Sequence, residues 1–117
     1  MSGVRHKSVY LSGPMTGLPD HNRAAFKGAQ DALHALGARF VFNPNESVRG
    51  QDGSVRGWMT REEAMRRDLH KLTEPGLFDV VVTLDGVEGS EGALVEIAVA
   101  EQCGIEVTRL ATLVGDR

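Results

Sequence analysis

The segment Phe78-Asp79-Val80-Val81-Val82-Thr83-Leu84 constrains the fold most. It is nearly continuous in apolar and β-branched residues, the pattern of a strand covered on both faces, and it predicts the centre of a parallel sheet. Two shorter runs precede it, Ser8-Val9-Tyr10-Leu11-Ser12 and Phe40-Val41-Phe42, and Ile105-Glu106-Val107 begins a fourth. Helical patterns lie between them. One is expected from about Asp20 to Leu36, with the stripe Phe26, Ala29, Leu33 and Leu36 and a stop at Gly37. A second opens on the capping box Thr60-Arg61-Glu62-Glu63, with Met59 and Ala64 as a hydrophobic staple, and runs to about Leu72. A third carries Glu96 and stops at Gly104.

Strands alternating with helices predict an α/β fold. The expectation is one domain over 1–117: a flavodoxin-like or Rossmann-like three-layer sandwich around a four- to five-stranded parallel sheet, order 2-1-3-4. Ligands of such sheets bind beyond the carboxyl ends of the strands, where strand order reverses. Here that crevice falls between strands 1 and 3. It is lined by the glycine-containing loops 12–19 and 85–91, the second feeding the Glu96 helix. Residues 45–58 read as a long polar loop, a candidate lid.

The bulk numbers exclude some functions. Of 117 residues, 41% are hydrophobic and 25% charged, an ordinary globular balance. A net charge of −3 argues against a nucleic-acid polymer as partner, and 5% aromatics against a stacking platform for single strands. Cys103 is the single cysteine, which fits a cytoplasmic protein, and is expected to pack the end of its helix. No membrane segment is visible. His6, His21, His34 and His70 have no metal-ligand spacing, so no metal site is expected.

Two acids stand on the wrong side of their helices. Glu96 projects roughly 170° from the polar side marked by Glu101 and Gln102. Its stripe holds Gly92, Ala93, Val99, Ala100 and Cys103. An unpaired acid there would cost several kcal/mol. Asp68 falls between Ala64 and Leu72 on a stripe with Met65 and Leu69. Each has a bland explanation: an ion pair with a buried Arg or Lys for Glu96, and with a basic neighbour such as Arg61 for Asp68. Ser90 is a natural N-cap, and a free helix start with Gly92 close by also suits an anion. Ordinary capping alone explains Ser90. Tyr10, in strand 1, is either core or a hydroxyl donor to a carboxylate. Paired acids suit cleavage of a glycosidic bond, one attacking the sugar carbon and one handling the leaving group's proton.

Four stretches resemble, in order, the nucleoside 2-deoxyribosyltransferase superfamily, including its 2′-deoxynucleoside 5′-monophosphate N-glycosidases. The resemblance covers residues 8–108 and is closest to small, often phage-encoded members. Val9-Tyr10-Leu11-Ser12-Gly13 resembles the first strand, whose Tyr orients the nucleophile. Asp68-Leu69, ahead of the strand Asp79-Val80-Val81-Val82, resembles the acid that serves the departing base. Ser90-x-Gly92-x-x-x-Glu96-x-x-x-Ala100 resembles the catalytic helix, with Glu96 as nucleophile. Six residues before the nucleophile the transferases carry Asp and the monophosphate hydrolases Ser; here it is Ser90.

The resemblance implies an enzyme that cleaves the N-glycosidic bond of a 2′-deoxynucleoside 5′-monophosphate, passing the sugar to water or to another base. Glu96, Asp68 and Tyr10 would be catalytic. Ser12, Gly13, Pro14, Ser90 and Gly92 would hold the substrate. No cofactor is needed, and a homodimer or higher homo-oligomer is expected. In the family a residue of a neighbouring subunit, after strand 4, often completes the site. The chain ends at Arg117, which favours the alternative of a non-catalytic nucleotide-binding module. A purely structural subunit is a third reading. In loop 45–58, Trp58 is a candidate to stack on a base, or to pack at the helix entry, and Arg49 or Arg56 to reach phosphate.

Overall fold

A computed structural model describes residues 3–47 and 60–115. Four parallel strands, β1 (Ser8–Ser12), β2 (Phe40–Phe42), β3 (Val80–Thr83) and β4 (Glu106–Arg109), form one sheet in the order β2-β1-β3-β4. The expected 2-1-3-4 order holds, and the four strands among the described residues fall within the expected four to five. β1 and β3 are fully buried along their length, as covering on both faces requires.

Side chains alternate across each strand, so β1 feeds two cores. Val9 and Leu11 pack with Val80 and Val82 against helix α1 (Arg23–Ala35), through Phe26, Ala29 and Leu33. Leu110 and Leu113 of α5 (Leu110–Val114) pack on the same side. Tyr10 and Val81 face the opposite layer, which contains Leu72 of α3 (Arg61–Leu72) and Ala100 of α4 (Glu91–Gln102). The result is a three-layer sandwich, with α1 and α5 on one face and α3 and α4 on the other.

The capping box is present. Thr60 Oγ1 accepts from the Glu63 N–H at 3.0 Å, and Glu63 Oε1 accepts from the Thr60 N–H at 2.8 Å. These bonds hold the Glu63 carboxyl below its usual range. Thr60→Ala is expected to cost about 1 kcal/mol, read as a lower urea midpoint with an unchanged m-value. Met59, the other half of the proposed staple, lies outside the described residues, as do Arg49, Arg56 and Trp58.

Several expectations need correction. The first helix begins at Arg23, not Asp20, because Asp20, His21 and Asn22 all adopt the left-handed region, with φ of 48°, 54° and 66°. This conformation costs an L-residue about 1–2 kcal/mol each. The start of the polar loop is helical: α2 (Pro44–Ser47) makes one turn, capped by Asn43 Oδ1, which accepts from the Asn45 N–H at 2.9 Å. Cys103 is exposed, since it falls at the C-cap, past the last buried turn of α4. Among the described residues no helix is long and apolar enough to cross a membrane.

Candidate active site

β1 ends in Tyr10 and Ser12, two residues apart and therefore on one face, the face that α4 covers. Ala93, Glu96 and Ala100 are the buried residues of α4, so the acid does turn inward as its stripe predicts. The small side chains bring the helix close to the sheet. Tyr10 Oη donates to Glu96 Oε2, and Ser12 Oγ donates to Glu96 Oε1 at 2.8 Å. Each carboxylate oxygen thus has a buried hydroxyl partner. The ion-pair explanation fails for this residue, because among the described residues no Arg or Lys pairs with it.

Burial pushes the Glu96 carboxyl up to about 7, against the pull of the two hydroxyls, and nearby Asp68 pushes it further. Near neutral pH the group is therefore poised between acid and carboxylate. Burial and the Glu96 charge raise the Tyr10 phenol out of reach, so it stays a donor. Tyr10→Phe removes that donor. The loss is expected to destabilise the fold by about 1–3 kcal/mol above pH 8, where Glu96 is ionised, and by less at pH 5. Thermal melts at the two pH values measure the difference.

Asp68 is 6% exposed, and burial raises its carboxyl while Arg67 opposes the rise. Arg67, not Arg61, is its ion-pair partner: Arg67 Nη2 donates to Asp68 Oδ1 at 3.2 Å. Arg61 instead meets Glu91 at 3.4 Å. A cavity of about 730 Å³ brings the two acids to one space, within the usual range for small-molecule sites. Thr60, Arg61, Ala64, Met65 and Asp68 line one side, which is the inner stripe of the first two turns of α3. The cavity runs down between α3 and α4, and a mid-helix acid reaches it for that reason. Gly92 faces Met65 of α3, where a Cβ would lie 3.2 Å from Met65 Cε and would ask the thioether end to shift slightly.

Gly13, Pro14, Ser90 and Gly92 also line the cavity. Gly13 sits where a Cβ would come within 2.9 Å of Leu84 Cβ, so β1 exits tight against β3. Ser90 Oγ accepts from the Ala93 N–H at 3.2 Å, and the capping explanation of Ser90 holds. Its hydroxyl proton is not used in that bond. Ser12 departs from expectation. It is fully buried behind Glu96 and spends its hydroxyl there, so it grips the carboxylate and does not line the cavity. The period-2 rule already pairs it with Tyr10. His21, Thr60 and Arg61 also line the cavity, although the expected site includes none of them. Of these, only Thr60 and Arg61 had a local signal, their position at a helix start.

A larger groove of about 1240 Å³ lies on the α1 and α5 side. Its lining is mainly aliphatic, and among the described residues Asp85 is its one ionisable side chain. Among the described residues no group of three or more His, Cys, Asp or Glu side chains is placed to hold a metal ion.

Residues 7–109 match the family described as a domain of unknown function, DUF4406, and the chain belongs to that family. Comparison with curated proteins and with solved structures gives no match.

Proposed function

We propose that this DUF4406 member cleaves the N-glycosidic bond of a 2′-deoxynucleoside 5′-monophosphate, as in the nucleoside 2-deoxyribosyltransferase superfamily that its motifs resemble. The observation that carries the reading is the Glu96 carboxylate. It is buried, held by Tyr10 and Ser12 through separate oxygens, and shares one cavity with a second buried acid, Asp68. A carboxylate fixed at both oxygens has lost its rotational freedom and meets a sugar carbon at a set angle.

In the proposed reaction Glu96 attacks C1′ as oxocarbenium character develops. The C1′–N bond breaks with its electron pair going to the base. Protonated Asp68 gives its proton to that base, leaving a deoxyribosyl ester on Glu96 and a carboxylate on Asp68. Water, or the nitrogen of a second base, then attacks C1′, loses its proton to Asp68 and releases Glu96. The missing 2′-hydroxyl favours a deoxyribose, since no electron-withdrawing group opposes the developing positive charge. Ser90, with its hydroxyl proton available at the cavity wall, supports the 5′-monophosphate over the free nucleoside.

The test is incubation with 2′-deoxynucleosides and their 5′-monophosphates, followed by chromatography for free base. Release from a monophosphate that depends on Glu96 supports the reading. Tight binding without release, at high protein concentration, would leave a binding module.

A further inference from the structure

Glycine enters the left-handed region at no steric cost, whereas a side chain pays for it. Three successive non-glycine residues hold that conformation before α1: Asp20, His21 and Asn22. The segment is over-determined by its surroundings, the condition under which such strain persists. Asn22 Nδ2 donates to the Pro14 carbonyl at 3.0 Å. The His21 N–H donates to the Leu18 carbonyl at 3.0 Å. Fully buried Asn45 donates from Nδ2 to the His21 carbonyl at 2.6 Å, and Asn43 fixes Asn45 in turn.

The protein grips the backbone of His21 and leaves its imidazole alone. Among the described residues that side chain has no partner, yet it lines the cavity that holds Glu96 and Asp68. Three acids share the lining: Glu91, Glu96 and Asp68. Among the described residues two basic side chains share it, and Arg61 also meets Glu91 across the helices. Among the described residues His21 is the other basic side chain on the lining, and unlike Arg61 it has no carboxylate partner.

We propose that His21 contacts the phosphate of the bound nucleotide, and that Asn45 is a positioning residue acting through it. The inference rests on the reading that this cavity takes a deoxynucleotide. It adds a residue that selects the phosphorylated form over the nucleoside.

The test uses the full chain in a Glu96→Gln background, so that ligand is not consumed. The four common 2′-deoxynucleoside 5′-monophosphates and their nucleosides are titrated by calorimetry. His21→Gly relieves left-handed strain and is expected to melt no lower than its parent. Asp20 does not line the cavity, so Asp20→Gly is expected to keep the parent affinity. His21→Gly is expected to weaken a bound monophosphate 10-fold or more and the nucleoside less than twofold. Asn45→Asp keeps the shape without the donor. It is expected to weaken the monophosphate as well, but not further once His21 is Gly. A His21→Gly protein that binds monophosphate like its parent overturns the inference and leaves the proposed function standing. Equal weakening for nucleoside and monophosphate overturns the phosphate contact. A parent that binds no nucleotide removes both.

Discussion

Glu96→Gln is expected to lower base release from a 2′-deoxynucleoside 5′-monophosphate by at least about 10³-fold, because the neutral amide cannot form the glycosyl ester. The same substitution is expected to stabilise the fold above pH 7. Unfolded Glu96 releases its proton near the ordinary 4.5, whereas the folded group holds it to about 7. Between those values the unfolded state binds fewer protons, so wild-type stability falls as pH rises. About 2.5 units correspond to about 3 kcal/mol at pH 8, fading to nothing below pH 4.5. Gln carries no charge and removes that slope. Urea denaturation from pH 4 to 8 measures it, and single-turnover base release measures the chemistry. A Gln variant that is more stable and still releases base would place the nucleophile elsewhere.

Asp68→Asn is expected to slow release by about 10²–10⁴-fold, the usual worth of a positioned proton donor. The pH profile carries more information than the rate. In the wild type the productive state carries one proton between the two acids, on Asp68 and not on Glu96, so the rate should pass through a maximum. It should fall at high pH, where both acids are ionised, and at low pH, where Glu96 is protonated. Removing the Asp68 charge relieves Glu96 of a like-charged neighbour, so Glu96 should ionise at lower pH in the variant. The falling limb should vanish. A base whose leaving group is already activated should rescue much of the loss. An unchanged rate and profile would reduce Asp68 to the ion-pair partner of Arg67.

Much of this architecture is legible in residue order. Val80–Thr83 and Ser8–Ser12 are too continuously apolar to be anything but covered strands, and Thr60 with Glu63 marks a helix start by itself. Glu96 declares its direction through helical period alone. The misses come from tertiary structure. Asp20-His21-Asn22 are residue types that tolerate the left-handed region, but tolerance does not select it; the group that fixes the turn is Asn45, on the far side of α1 and β2. Asn43-Pro44 reads as a strand terminator and is also an N-cap followed by Pro at N1, which starts α2. The placement of Ser12 follows from Tyr10 by period 2, but its use depends on α4, which joins it from 84 residues away. Arg67 takes Asp68 from Arg61 because Glu91, on another helix, is the carboxylate that Arg61 meets.

The two hydroxyls behind Glu96 also bear on how the chain finds its register. Tyr10 and Ser12 share a face, and Val9 and Leu11 share the other. If β1 slid by one residue against β2 and β3, every side chain would change face. Glu96 would then meet Val9 and Leu11, with no donor for either oxygen, and two hydroxyls would enter the aliphatic layer under α1. A sheet whose neighbours are mostly valine discriminates poorly between registers on apolar grounds alone. The buried acid makes the wrong alignment expensive, so the residue assigned to chemistry also proofreads the folding of the central strand.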